Sequence, residues 1–248
     1  MHRRALVILT LVLLATVALG ACGNKSEPAL SDPREIVTKA VEAMQKAKTV
    51  HMGATVDGTL KPTLLGLGDQ LGDVSLAGTT LALDADLANK NLKMTLGVPA
   101  LLGMTADVIV VGPDTFTKVS LTGNKYVKSA TSTTTPTDPT VAIAGLQALL
   151  ARPDVTATKK DDASCGSKTC YAIQVDLKGD ALAALIPGTN LGDATVGLTI
   201  LVEKDTLLPA AINGTAKGST VGDLTLKLTL SDWDKAVTVT APPADQVQ

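Results

Sequence analysis

Leu224-Thr225-Leu226-Lys227-Leu228-Thr229-Leu230-Ser231 alternates leucine with a polar residue along its whole length, and the reading of that stretch decides the fold. Successive side chains of a strand point to opposite faces, so the four leucines share one face and Thr225, Lys227, Thr229 and Ser231 the other. Such a strand is half-buried, as strands of antiparallel sheets commonly are. The same period of two runs back through the chain: Val196, Leu198, Ile200 and Val202 alternate before a turn at Lys204-Asp205 and a strand near 207–216, and Tyr171, Ile173, Val175 and Leu177 line one face of an earlier strand.

The first half repeats the scheme. Leu81, Leu83 and Leu87 alternate with Ala82, Asp84 and Asp86, and Asn89-Lys90-Asn91 turns the chain into Leu92, Met94 and Leu96. Further strands are expected at 105–111, 115–121 and 125–130, separated by Gly112-Pro113-Asp114 and Thr122-Gly123-Asn124. Connections this short make hairpins, so the ten or so strands form an antiparallel sheet.

Two helices interrupt the alternation. Asp32 as N-cap, Pro33 in the first helical position and Glu35 three residues after the cap make a capping-box start. Ile36, Val37, Ala40, Val41 and Met44 then recur on one face, opposite Arg34, Lys39, Glu42 and Lys46, which predicts an amphipathic helix over about 33–47. After a Thr-rich loop at 131–137, Asp138-Pro139 opens a second helix with Val141, Ile143, Leu146, Leu149 and Leu150, closed by Pro153; 180–186 reads as a short third, ended by Pro187-Gly188. The fold class is α+β, with helices against one face of a large antiparallel sheet.

The N-terminus has a separate logic. Arg3 and Arg4 precede an apolar run from Ala5 to Ala18, the charged and apolar regions of a secretory signal, too short for a comfortable bilayer span of about 20 residues. Leu19-Gly20-Ala21-Cys22 closes the run with small residues before a cysteine and resembles the lipobox of bacterial lipoproteins. It implies cleavage ahead of Cys22 and a diacylated Cys22. The expected organisation is a signal peptide at 1–21, a lipidated tether at 22–31 and one domain at 32–248, on the extracytoplasmic face of the cell membrane. Without residues 1–21 the chain carries 20 basic and 24 acidic residues, a formal charge of −4, which gives no attraction to nucleic acid.

Export also permits a disulfide. Cys165 and Cys170 bracket the turn-like Gly166-Ser167-Lys168-Thr169, so a bond between them would staple a hairpin, worth roughly 2 kcal/mol for so short a loop. Catalytic and metal chemistry are not signalled. Beyond residue 21 the one histidine is His51, read as structural, and Gly-x-Ser-x-Gly, phosphate-loop and EF-hand patterns are missing. Asp161 and Asp162 beside Lys159 and Lys160 read as a solvated turn. The expectation is a protein that is not an enzyme and has no metal or cofactor.

Three apolar segments broken by glycine, at 64–71, 98–104 and 185–191, are too oily for ordinary loops and too glycine-rich for stable helices or strands. They are either tucked-in loops capping the core or a rim around a hydrophobic opening that touches membrane or lipid.

The succession of the lipobox, the Asp32-Pro33-Arg34-Glu35 helix, the meander, the Asp138-Pro139 helix, the segment from Asp180 to Gly188, Val202-Glu203-Lys204-Asp205-Thr206-Leu207-Leu208-Pro209 and the tail from Leu230 to Pro243 resembles the LppX/LprA/LprF/LprG family of actinobacterial envelope lipoproteins. The resemblance spans nearly the whole chain after the signal and contains no catalytic motif. It implies a LolA-like half-barrel: a strongly bent antiparallel sheet whose concave face, covered by helices, encloses a hydrophobic cavity for acyl chains. It also implies an acylated lipid or glycolipid as ligand, with a membrane transporter as a candidate partner. The chain departs from the family at Thr199, where a tryptophan is expected, and in having just four aromatic residues.

An aliphatic cavity suits alkyl chains, which have no hydrogen bonds to satisfy. Left empty it is costly: at about 24 cal/mol per Å³, a void of order 1,000 Å³ exceeds a domain's whole stability of about 5–15 kcal/mol. Ile36, Val37, Val41 and Met44 on the first helix and Ile143, Leu146 and Leu150 on the second are candidate cavity walls, facing Leu198, Ile200, Leu226 and Leu228; ordinary core packing is the competing reading for each. The alternative function is a structural or signalling lipoprotein that docks a protein partner and carries no lipid.

Overall fold

The computed structural model describes residues 29–62, 72–130, 148–149, 152, 155–178, 181, 193–219 and 221–248. The chain divides into Met1–Leu30 and a compact unit, Ser31–Gln248, which contains every helix and strand named below.

Helix α1, Pro33–Lys46, begins as its sequence dictates, with the Asp32 carboxylate accepting from the amides of Arg34 and Glu35. Those are donors that a helix start leaves without intrahelical partners. Ile36, Val37, Ala40 and Val41 are buried, each of the larger three contributing about 1.5–3 kcal/mol. Among the described residues thirteen strands follow: β1 Thr49–Leu60, β2 Val74–Ser75, β3 Thr79–Asp86, β4 Asn91–Val98, β5 Met104–Val111, β6 Asp114–Val119, β7 Val127–Ala130, β8 Thr156–Lys159, β9 Ala163–Cys165, β10 Lys168–Lys178, β11 Thr195–Glu203, β12 Pro209–Gly218 and β13 Gly222–Ser231. They form one antiparallel sheet in the order β7-β6-β5-β4-β3-β1-β13-β12-β11-β10-β8, with β2 beside β1 and β9 beside β10. The sheet is not closed: β7 and β8 are its edges. Two meanders, β3 to β7 and β10 to β13, meet where β1 pairs with β13 from His51 against Ser231 to Leu60 against Gly222.

The count exceeds the ten or so strands expected because β2 and β9 are too short to show a period. Segment 98–104 joins two strands, as expected of it. It is the end of β4, a tight turn and the start of β5, with the Met104 amide donating to the Leu101 carbonyl at 2.9 Å. The loop between the paired Val98 and Met104 is five residues long, and Leu102 and Gly103, at φ 55° and 69°, are the central pair of its last turn, both with the positive φ of type I′. Cys165 and Cys170 are bonded across the β9–β10 hairpin, their Cα atoms 6.0 Å apart. The second helix falls outside the described residues except for Ala148 and Leu149, which are helical, and of the third only Ala181 is described.

After β13 the chain turns sharply at Asp232 and Asp234, both at positive φ. The Lys48 amide donates to the Asp234 carboxylate at 2.7 Å, the Thr49 hydroxyl to the Lys235 carbonyl at 2.6 Å, and the Trp233 indole to the Pro209 carbonyl at 3.1 Å. The tail then reaches β6 and β7, where the Tyr126 amide donates to the Gln246 carbonyl and the Gln248 amide to the Tyr126 carbonyl. There Val239 and Val247 pack on a cluster of Ile109, Phe116 and Tyr126.

Candidate functional site

Register sorts the side chains into two faces. Ile173, Ile200, Ile212, Leu228, Ala54, Leu81, Leu96, Ala106 and Val119 are successive cross-strand partners from β10 to β6, an unbroken apolar row. Two residues along, Val175, Leu198, Gly214, Leu226, Val56 and Thr79 form a parallel row. Because side chains alternate, the charged residues of β1, β3 to β6 and β10 to β13 all project from the other face. There His51 Nδ1 lies 2.7 Å from Asp84 Oδ1, and Lys118 Nζ lies 2.8 Å from Asp107 Oδ2.

The leucine face is not uniformly covered. At the β8–β10–β11 end, where α1 contacts β8 and β11, Ile173, Val175, Ile200 and Val202 are buried. Toward the middle, Leu198, Leu224, Leu226, Leu228, Leu81, Leu83, Met94 and Leu96 are half-buried. Gly214 sits within the second row, where a Cβ would lie 2.9 Å from Leu198 Cδ2; the missing side chain leaves room for Leu198. Thr79 is the one buried polar side chain among the described residues, and its hydroxyl has no hydrogen-bond partner among them. A buried hydroxyl without a partner costs free energy, and it can bond a polar atom of a bound molecule.

Of the candidate wall residues, Ile200 and Leu228 fall in the first row and Leu198 and Leu226 in the second. Ile36, Val37 and Val41 are fully buried on α1. Met44 is half-buried and lines a small pocket of ≈ 250 Å³ with Leu87 and Ala88. Ile143, Leu146 and Leu150 lie outside the described residues. Sequence reasoning draws strand candidates from the second meander alone, although the same alternation marks Leu81, Leu83, Met94 and Leu96 as members of the face. It misses Thr79, a threonine among strand threonines with nothing local to distinguish it. A larger groove of ≈ 900 Å³ runs along the opposite face, between the disulfide hairpin and the turn after β13, lined among others by Lys168, Leu201, Ala211, Thr229 and Trp233. It is not part of the leucine face.

On the charged face the Asp107 carboxyl is pushed up by burial, but hydrogen bonds from Lys118 and Thr95, with the charges of Lys118 and Lys93, outweigh that and hold it below the ordinary carboxylate range. A depressed carboxylate contributes stability above its unfolded pKa of about 3.9, and loses it as pH falls through the folded value. Asp107→Asn is therefore expected to lower stability at pH 7 by about 0.5–1 kcal/mol and to narrow the gap from the parent below about pH 4. Urea midpoints at pH 7 and pH 3 check it; parallel profiles at all pH values would show that the pair adds nothing.

With the geometry in place, comparison with known proteins supplies the relationship. The LppX_LprAFG lipoprotein family model matches residues 32–239. The chain belongs to the LppX_LprAFG family. Its relatives include the lipoarabinomannan carrier protein LprG of Mycobacterium tuberculosis and of Mycobacterium bovis, each 26% identical over 250 residues, covering 98% of this chain and 97% of LprG. Among solved structures, M. tuberculosis lipoprotein LppX shares the fold at a TM-score of 0.56 and 16% identity, over 85% of this chain and all of LppX. LprF from M. bovis does so at a TM-score of 0.57 and 13% identity, over 86% of this chain and 98% of LprF. This LppX_LprAFG member thus shares the fold of LppX and LprF at low sequence identity.

Proposed function

We propose that this protein is a membrane-anchored lipid carrier that holds the acyl chains of a lipid or glycolipid along its leucine face and moves them across the cell envelope. The observation that carries this is the face itself: two registered apolar rows, clear of the charged residues of the strands that bear them, with leucines that protein packing leaves half-buried. Exposed leucine is unfavourable by about 25 cal/mol per Å², and alkyl chains remove that cost without needing hydrogen bonds. The name of the relative LprG, a lipoarabinomannan carrier, supports the cargo class. In this reading the sheet is a bent half-barrel whose concave face is closed by α1 and by the helix predicted around Ile143, Leu146 and Leu150, and Thr79 bonds a polar atom near the chain ends of the ligand. Residues 1–21 are removed, Cys22 is acylated, 22–31 tether the domain 32–248 to the extracytoplasmic membrane surface, and a membrane transporter is a candidate for delivery or receipt.

The test is mass spectrometry of an organic extract from the exported chain carrying Cys22→Ser, so that no covalent acyl group contributes, purified from its native envelope beside an unrelated exported protein. One lipid class enriched to near one molecule per protein is expected, and Ile143→Trp or Leu146→Trp is expected to reduce it several-fold by filling the space. An empty extract from folded protein would overturn the carrier reading in favour of a module that docks a protein partner.

A further inference from the structure

Among the described residues the large hydrophobic side chains that stand exposed are Leu101 at 42%, Leu102 at 91%, Leu121 at 56% and Val127 at 50%. They are not scattered. The antiparallel order puts the end of β4, the start of β5, the end of β6 and the start of β7 at one edge of the sheet, so the turn at 99–103 and the loop at 120–125 adjoin one another there. Along that same edge lies the start of β8, which pairs near the end of β10. The chain enters the folded unit at this edge too: Arg34, in the first turn of α1, donates to the carbonyls of Arg152 and Val155, just ahead of β8.

Leu102 is placed against local preference. Its φ of 55° is the left-handed region, and the first central position of a type I′ turn ordinarily goes to Asn, Asp or Gly. A leucine there strains the backbone, and at 91% exposure it recovers nothing by packing. Foldability alone would select asparagine.

We propose that this edge is a bilayer-docking surface, in which Leu101 and Leu102 at the β4–β5 turn, with Leu121 beside them, enter the headgroup boundary of the membrane that holds the lipid anchor. It rests on the anchored reading above. Eight residues lie between Cys22 and Ser31, and the nine steps reach roughly 30 Å when extended, which brings the edge carrying Ser31 to the surface and leaves the opposite edge away from it. Short apolar side chains are immersed in the outer 5–10 Å of the interface, the depth that amphipathic anchors occupy. The exposed Lys125 in the 120–125 loop suits the phosphates just above.

The experiment uses the full lipidated chain in vesicles of phosphatidylglycerol and phosphatidylethanolamine with brominated acyl chains. With Cys22 acylated and Cys165 bonded to Cys170, Leu102→Cys supplies a single thiol for a solvatochromic fluorophore. Ala88→Cys, exposed in the β3–β4 turn at the opposite edge, is the control. The probe at 102 is expected to emit to the blue of its aqueous value and to be quenched roughly two-fold or more, as suits that depth, and the probe at 88 to behave as in water. A water-like, unquenched probe at 102 in protein that sediments with the vesicles overturns the docking edge alone. Protein that does not sediment overturns the anchored reading and this with it. In a second measurement the probe sits at Leu121→Cys, with and without Leu102→Asn. Asparagine suits the turn, so the melting temperature is expected to hold or rise while quenching at 121 falls by at least half; undiminished quenching would show that Leu102 does not seat the edge.

Discussion

Gly58→Ala is expected to destabilise the domain by about 3–5 kcal/mol, a large part of the 5–15 kcal/mol that a domain typically has. Gly58 lies where β1 changes partner. From Thr49 to Val56 the strand pairs with β3 and at Thr59 and Leu60 with β2; between them Gly58 takes φ 118° while still paired with Leu224 of β13. The Gly58 carbonyl accepts from the Leu76 amide at 2.9 Å, and the Asp57 carboxylate takes the Gly78 amide at 2.8 Å, fixing the chain that arrives. On the other side β13 comes so close that a Cβ on Gly58 would lie 2.0 Å from the Asp223 carbonyl oxygen. That atom belongs to the backbone and cannot swing aside, so β1 and β13 would have to separate. Their pairing is what joins the two meanders. Gly103→Ala is the comparison: φ is 69°, but nothing lies within 4 Å of the added atom, so conformational strain acts alone and costs about 1 kcal/mol. Urea midpoints for the two variants decide; equal, small losses would show that the approach of β13 relaxes freely.

That junction marks the limit of what the sequence discloses. Alternation in Leu224 to Ser231, in Tyr171 to Leu177 and in Leu92 to Leu96 is local, and each of these segments is a strand with its apolar residues on one face. The capping box at Asp32 is local in the same way. Which strand pairs with which is another matter: β1 meets β13 across some 170 residues, and no turn residue encodes a contact that distant. The apolar segment 98–104 is legible as a connection between strands, but its turn conformation is not. Turn chemistry is recognised by Asn, Gly and Pro, and Leu102 breaks that rule, as residues at functional surfaces do. Ile109 and Phe116 are hidden because they face the charged side of the sheet, where period-two reasoning expects polar residues. The tail supplies what makes that place apolar.

Ending the chain after Lys235 is accordingly expected to cost about 4–6 kcal/mol. The lost tail contributes Val239 and Val247, whose burial is worth about 1.5 kcal/mol each, and two backbone hydrogen bonds to Tyr126, each worth about 1 kcal/mol net. It also uncovers Ile109, Phe116 and Tyr126, three of the few large side chains on that face, all now under 8% exposed. The damage should be local, because β7, β6 and β5 stand at the opposite end of the strand order from β11, β10 and β8. Hydrogen exchange should therefore quicken in β5 to β7 first and leave β10 to β13 protected, whereas Val239→Ala should cost only about 1–2 kcal/mol. Uniform loss of protection would mean that the sheet melts as one unit. If the tail braces the sheet from the face opposite the leucines, truncation should also leave the lipid bound per folded molecule unchanged. Reduced lipid in protein that is still folded would instead mean that the tail sets the curvature on which the leucine face depends.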